Sequence, residues 1–487
     1  DGQRMIWSDE AYQILGYALG RVEPSRAALD AVVHPEDRAL FEKNLAEARD
    51  AIDQPNLMPP PPSDRNLAEG YRYLMGFVHN AIERSFHQDP VHPHFRNALS
   101  IITRSTIDNP DAIYFSTPID GRKTYRLRGE MGDARHWRGE APAPTGRKAP
   151  HYMIFEASWG CLAGDSGTLQ ELRPGMKTQT GRIDSSSIAV EPDGSFEIVF
   201  APERPAGYSG NFVSTLKVVK QPHPTKPETP PERYAEYISG RQIFEDWARE
   251  DAVHFEMVQE GAEGTAPAAY DPEQAAAQLR TFGETVRNQI RFWNAFWTIP
   301  MGTYGPRPGS LPGVAFPRNA FNTINAASAA TGGGMSTNLY AGGIGEIGPD
   351  EAIVIENRIK KKPNYIGFQL GNLWGESLEY ANRCSSRNGH QSHVDADGVI
   401  RLVVAHADPG VHNWLDTTGH PVFFMSPRWA YSQTPEPPDW PTISMKVVKL
   451  KDVLASLPPE TKRVTPEERR QEIAVRQRHV VKRYRVF

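Results

Sequence analysis

The sequence predicts a mostly β protein with added helices, an α+β architecture of two tandem jelly-roll-like β-sandwich domains joined by a helical segment. Three observations lead there. Short segments rich in β-branched and aromatic residues, bounded by Gly, Pro or Asp, recur along the chain. The 42 Pro and 40 Gly, beside 20 Phe, 17 Tyr and 10 Trp, suit many turns between strands with large apolar side chains. Four blocks of sequence also return in the same order in the second half, and 487 residues exceed what one ordinary core holds.

The elements follow in order. Residues 1–50 contain MIWSDEAYQILGY and HPEDRALFEKNLAEA. With His34-Pro35-Glu36-Asp37 they resemble the first half of a PAS sensor domain. The three further strands that would close a PAS sheet are missing, so a helical appendage without a sensing role is expected. A proline-rich stretch, QPNLMPPPPS, marks 51–63 as a linker. A helix is predicted over 64–88, with Leu67, Tyr71, Leu74, Val78 and Ile82 on one stripe; with the first sandwich it makes a unit over 64–236. Residues 237–300 read as a helical connector with helices at 237–261 and 271–298. The second of these has Asp271 as cap, Pro272 and Glu273 in the first turn, and a face of Leu279, Phe282, Val286, Ile290, Trp293 and Trp297 packing between the sandwiches. The second sandwich is expected over 301–460, and 461–487 carries a charged, surface-lying helix at 465–480. The strands are TYRLRGEM, YMIFEASW, SFEIVFA, EAIVIENRI, YIGFQLG and VIRLVVAHA.

The repeat pairs DGSFEIVFAPERPAGYSGNFVST (193–215) with DGVIRLVVAHADPGVHNWLDTTGH (397–420). Asp193-Gly194 matches Asp397-Gly398, Ala201 matches Ala405, Pro205 matches Pro409, and after a two-residue slip Asn211-Phe212 matches Asn413-Trp414. Upstream, Tyr152, Phe155, Trp159 and Gly160 pair with Tyr365, Phe368, Trp374 and Gly375, and Asn109 to Tyr114 faces Asn338 to Tyr340. Shared residues are read as scaffold: Asp-Gly as a tight turn, and the Asn as a brace bonding nearby backbone at a sheet corner.

Residues found in one copy alone are the functional candidates. The second copy has His406, Asp408, His412, Asp416 and His420, with His390 and His393 upstream and Glu376 after Trp374-Gly375; five of the fifteen His lie between 390 and 420. Paired carboxylates form the leading expectation: Asp408, Glu376 and Asp416 at the rim of the second sandwich, one protonated and one ionised, with Trp374, Trp414, Asn413 and His412 contacting a glycan or other polar small substrate, as a hydrolase requires. One alternative is a non-catalytic carbohydrate or ligand-binding protein using the same tryptophans. The other is a mononuclear metal-dependent oxygenase in which His406, Asp408 and His420 hold one divalent metal such as iron, because a His-x-Asp strand end places both side chains on one face. The first two readings need no cofactor. The plain structural reading of each residue is a solvated acid beside a core tryptophan.

Other totals narrow the class. A net charge of −5 gives no reason to expect nucleic acid, and no apolar run approaches a membrane span. Cys161 and Cys384 are expected to be idle thiols. The cytoplasm is the expected compartment, or the periplasm if a leader was removed ahead of Asp1, and an oligomer is compatible with the sequence. Gly332-Gly333-Gly334 and GGIGEIG (342–348) lack a following Lys-Ser/Thr and read as loops. GDSG at 164–167 resembles a serine-protease loop only as a string, and IKKKPN (359–364) reads as a solvated basic turn.

The blocks LAEGYRYL, DNPDAIYFSTPIDGRKTYRLRGEMG, GRQIFEDW, LGNLWGESLEYANR and DPGVHNWLDTTGH resemble bacterial proteins carrying domain of unknown function 1214, often paired with domain 1254, over about residues 64–480. The resemblance implies two jelly-roll-like domains with added helices. It places Asp408, Asn413, Trp414, Asp416 and Gly419 in a family motif without supplying an activity.

Overall fold

A computed structural model describes residues 35–484 apart from 87, 268, 270–271, 305–314 and 326–337. The PAS-like stretch before residue 35, Asp271 and Gly332-Gly333-Gly334 lie outside the described residues. The elements are α1 (Pro35–Asp53), α2 (Asp64–Phe86), β1 (Arg96–Leu99), β2 (Ala112–Pro118), β3 (Tyr125–Glu130), β4 (Tyr152–Trp159), β5 (Thr178–Asp184), β6 (Ser195–Ala201), β7 (Asn211–Ser214), β8 (Leu216–Val218), β9 (Glu232–Tyr234), β10 (Tyr237–Ile243) and β11 (His254–Gln259). They continue with α3 (Pro272–Thr298), β12 (Asn338–Tyr340), β13 (Gly343–Glu346), β14 (Glu351–Arg358), β15 (Tyr365–Gly371), β16 (Ser386–Asn388), β17 (Val399–Ala405), β18 (Trp414–Asp416), β19 (Val422–Ala430), β20 (Thr442–Lys449) and α4 (Pro466–Tyr484).

Two sandwiches result, and their strand orders correspond. The first stacks β1-β2-β10-β4-β5 on β11-β3-β6-β7; the second stacks β12-β19-β15-β16, with β13 also on β19, against β18-β17-β14-β20. In each, a short strand runs parallel to the strand launched by the Asp-Gly turn: Ile198 faces Asn211 and Val403 faces Trp414. Period-two alternation fills each core, with Phe115, Leu127, Phe155, Ile198 and Ile238 in the first and Ile353, Phe368, Leu370, Leu402 and Phe423 in the second.

The paired asparagines do the same work. Asn211 accepts the Ala189 N–H at 2.7 Å and donates to the carbonyls of Ala189 and Glu197, both at 2.9 Å. Asn413 accepts the His393 N–H at 2.8 Å and donates to His393 and Arg401 carbonyls at 2.8 Å. Each brace satisfies three backbone groups, so Asn211→Ala and Asn413→Ala are each expected to cost about 1–3 kcal/mol, read as a lowered thermal or urea midpoint.

Six expectations are corrected. Residues 237–261 form β10 and β11, not a helix. β10 is the central strand between β2 and β4, and Gly240 must lack a side chain there because a Cβ would sit 2.1 Å from the Ile154 carbonyl oxygen. In α2 the buried face is Gly70, Tyr73, Leu74, Phe77 and Ala81, while Leu67, Tyr71 and Ile82 are exposed. That face joins α1, Phe282, Val286 and Ile290 of α3, and Trp374 in one cluster, so α3 packs chiefly on helices; Trp297 reaches the second sandwich at Phe424. α4 is not a surface helix: Arg469, Arg476, His479, Val480 and Arg483 are buried. The linker is packed as well, with Met58, Pro59 and Pro60 buried, and GGIGEIG contributes β13 where a loop was expected.

Candidate functional site

The structure disperses the second-copy candidates. Glu376 is only 2 % exposed, held by Arg72 of α2 at 2.6 Å and by the Asn372 side-chain amide at 2.6 Å. Burial raises its carboxyl above the ordinary range against the pull of Arg72 and Arg104, and Glu376 does not line the cleft between the sandwiches. Asp408 accepts from Gly410 N–H at 2.9 Å, capping the Pro-Gly turn, and from Arg469 Nε at 2.9 Å. Asp416 accepts from Arg383 at 3.0 Å and from Thr418 N–H at 2.7 Å. Three carboxylates with three separate cations cannot act as an acid–base pair. The substrate-contact candidates fare alike. Trp374 is wholly buried with its indole N–H on the Asn66 carbonyl; Trp414 is buried with its N–H on the Ala405 carbonyl. Neither ring offers a face to a sugar, and Asn413 is spent on its brace.

The histidines also fail to meet. His406 lies 2.6 Å from the Thr417 hydroxyl, His420 lies 2.6 Å from Glu69 of α2, and His412 packs near His393. Burial, Arg387 and Lys462 push His412 down to about 4. Among the described residues no three His, Cys, Asp or Glu side chains converge as a metal site, so the set His406, Asp408 and His420 is not assembled. Ser166 of GDSG is tied to Glu171, whose carboxylate also takes the N–H groups of Gly164, Ser166 and Gly167.

A cleft of about 890 Å³ lies elsewhere, floored by the outer face of the first sandwich and walled by the second. Strand alternation sends Tyr152, Ile154 and Glu156 of β4 and Arg241 and Ile243 of β10 outward, opposite the core residues Met153 and Phe155. Tyr365, His390, Ala430 and Tyr431 of the second copy close one side. The volume falls in the range of small-molecule sites.

At one end, where β10 runs into the connection to β11, ionisable groups gather. Glu245 faces His151, with Oε2 at 3.4 Å from Nδ1. His151 Nε2 lies 2.7 Å from the Asn364 carbonyl, which can only accept, so that nitrogen carries the hydrogen and Nδ1 presents its lone pair to Glu245. Burial lowers the affinity of His151 for a second proton. Burial, and then the charges of Glu250 and Asp111, push Glu245 up to about 8. The pair is therefore neutral near pH 7, with the proton on the carboxyl. Behind it Lys148 bonds Glu250 at 3.1 Å and approaches Asp246 at 3.9 Å, while Glu250 accepts the Glu245 N–H at 2.7 Å. His390 reaches Asp246 from the second copy at 3.6 Å.

Sequence reasoning missed Glu245, His151, Lys148, Asp246 and Glu250. The signal was present as GRQIFEDWARED, an acidic run at a strand end, but a helical reading of 237–261 spread those residues around a cylinder.

A second structural seam holds the wall in place. Tyr365 donates to Asp111 at 2.6 Å, Asn388 and Trp247 donate to Asp111 at 2.9 Å, and Ser377 donates to Asp108 at 2.6 Å. The DNPDAIY block thus fastens the first sandwich to the second.

Comparison with known proteins bears on architecture. No family model matches the chain, and no curated protein matches it significantly. The crystal structure of an uncharacterized protein from Burkholderia cenocepacia is similar, with a TM-score of 0.66 and 25% identity over 87% of this chain and 98% of that one. The VPA0106 protein of Vibrio parahaemolyticus aligns over 83% of this chain and 100% of its own, at 12% identity and a TM-score of 0.36. This chain is thus similar in fold, along most of its length, to the Burkholderia cenocepacia protein.

Proposed function

We propose that this protein is a hydrolase-type acid–base enzyme for a polar small molecule bound in the cleft between the sandwiches, with Glu245 and His151 handling protons. One observation carries the reading: a carboxyl pushed up to about 8 lies against an unprotonated imidazole nitrogen, and both line a cleft large enough for a substrate. Acid–base catalysis is most effective when the acid's pKa lies near the working pH, which an ordinary carboxylate at 4.5 does not meet. In the proposed role Glu245 turns its proton from His151 to the leaving group, which frees the His151 Nδ1 lone pair to take a proton from the attacking water, and transfer of that proton back to Glu245 restores the starting state. Lys148 and Glu250 fix the backbone that aims Glu245. A place among domain-1214 proteins belongs to the same proposal; DNPDAIY and LGNLWGES, which carry that resemblance, form the seam beside the cleft.

The test is a screen of ester, amide and glycoside hydrolysis with the wild type and His151→Asn. Turnover that falls at least about tenfold in the variant supports the assignment. Saturable binding without product release makes the protein a ligand-binding one, and turnover indifferent to the substitution removes the pair from the chemistry.

A further inference from the structure

The duplication supplies an internal control for the other end of the cleft. Arg241 of β10 stands opposite Tyr114 and Ile154; Arg428 of β19 stands opposite Tyr340 and Gly367. Ser239 pairs with Glu156, and Ser426 pairs with Gln369. The two arginines therefore occupy the same place on corresponding sheets, with Glu156 where the second copy has Gln369.

Their surroundings differ. Arg428 donates to the Gln369 side chain at 2.5 Å and to the Ile107 carbonyl at 3.2 Å, while Gln369 donates to the Asp108 carbonyl at 2.6 Å. The second copy thus uses this position to grip oxygen atoms of a segment lying across its sheet. Among the described residues no carbonyl of a crossing segment is bonded to Arg241 of the first copy, and the cleft opens there. Among the described residues Arg241 makes no side-chain hydrogen bond; its nearest acid is Glu156 at 3.7 Å, and its guanidinium lies 5.6 Å from the Tyr114 ring centre. Glu156 is already taken by Gln179 at 2.5 Å. Lys177 also lines the cleft, beside Tyr237 with its ring centre at 6.0 Å, and among the described residues it makes no ion pair within 4 Å.

Resting on the reading of this cleft as the substrate site, we infer that the substrate carries a carboxylate, bound by Arg241 and Lys177 where the second copy binds its own segment. Arg241, Lys177 and Arg182 against Glu156 and Asp184 leave a single positive charge, enough for one carboxylate. A phosphate dianion would meet Glu156 uncompensated. The guanidinium fork matches two carboxylate oxygens, and Tyr152, Ile154 and Ile243 offer apolar surface to the rest of the molecule.

Isothermal titration of the full chain with benzoate and 3-phenylpropionate, and with their primary amides, tests this. The acids are expected to bind at least about tenfold more tightly than the amides, the loss typical of a missing charge-assisted hydrogen bond. Arg241→Gln and Lys177→Gln should each erase that preference without weakening the amides, and Arg241→Lys should keep part of it. If Arg241→Gln unfolds, the less enclosed Lys177→Gln decides alone. Equal binding of acid and amide, a preference that survives the substitutions, or inorganic phosphate competing as well as the acids overturns the inference while leaving the cleft as the site. Binding of neither acid nor amide overturns the inference and the cleft reading together. A preference for acids lost in the variants, with ester hydrolysis untouched by His151→Asn, upholds the carboxylate subsite and removes the acid–base assignment.

Discussion

Glu245→Gln is expected to lower turnover by roughly 100- to 10,000-fold, the range for losing a general acid, while the protein stays folded. Glutamine keeps the size and a hydrogen-bond donor toward His151 but has no proton to give. The groups that set the titration are Glu250 and Asp111, which raise it with burial, Lys148 and Lys362, which oppose it, and His151 alongside. The active form needs Glu245 protonated and His151 neutral. The rate should rise below pH 6.5 as His151 loses its proton, and fall above about 8 as Glu245 ionises. The same shift bears on stability. A carboxyl raised in the folded state binds its proton more tightly than the unfolded chain does between 4.5 and about 8. Its contribution is complete below pH 4.5 and is lost as pH rises through about 8. Melting temperatures from pH 4.5 to 9 should therefore decline less in Glu245→Gln than in the wild type. A parallel decline would mean that Glu245 is ionised at neutral pH, and the proton-donor role would go with it.

The fold was legible wherever local pattern and tertiary context agree. YMIFEASW, SFEIVFA and YIGFQLG are strands over the residues their β-branched and aromatic content picks out, and the strand orders of the two halves match as a repeat requires. Context overrode pattern in three places. GRQIFEDWARE is rich in helix-forming residues, but the sheet needed a strand between β2 and β4, and propensity is worth only tenths of a kcal/mol per residue. α2 has two apolar faces; Gly70, against which Trp374 packs, was the clue to the buried one. In α4, Arg469, Arg476 and Arg483 recur every seven residues, a periodicity hidden because arginine normally marks a solvated face.

The site was less legible because the difference between the copies was sought in histidines. The difference that opens a cleft is which sheet face a chain segment covers, and that depends on the path of residues 104–111, not on residue types. Matching Arg241 with Arg428 required β10 to be recognised as the partner of β19, and the helical reading of 237–261 removed it from the comparison. Glu376 and Trp374 looked functional for a related reason: a carboxylate beside a tryptophan reads alike at a binding rim and at a buried helix–sheet joint.

Glu472→Gln is expected to destabilise the protein by about 3–5 kcal/mol, the cost of leaving buried cations without their counter-ion. Glu472 lies among three arginines with nearly buried side chains: Arg387 at 3.0 Å, Arg469 at 2.5 Å and Arg476 at 3.9 Å. Despite burial, the three together hold it down to about 2. Because its folded value is depressed from 4.5, its contribution is complete above pH 4.5 and disappears as pH falls toward 2; in the variant that acid-sensitive portion should be missing. Denaturant midpoints at pH 7 and pH 3 measure both. Replacing Arg387 with Met as well should restore part of the loss, since it removes one of the cations left without a counter-ion. A single variant within about 1 kcal/mol of wild type would mean that water, not Glu472, compensates the arginines. The consequence reaches the cleft. α4 sends His479 to the Glu250 carbonyl at 3.0 Å and Arg483 to the Pro110 carbonyl at 2.5 Å. Loosening this helix therefore frees both the backbone that aims Glu245 and the seam that sets the cleft wall, so Glu472→Gln should weaken ligand binding in the cleft at temperatures below its own melting point.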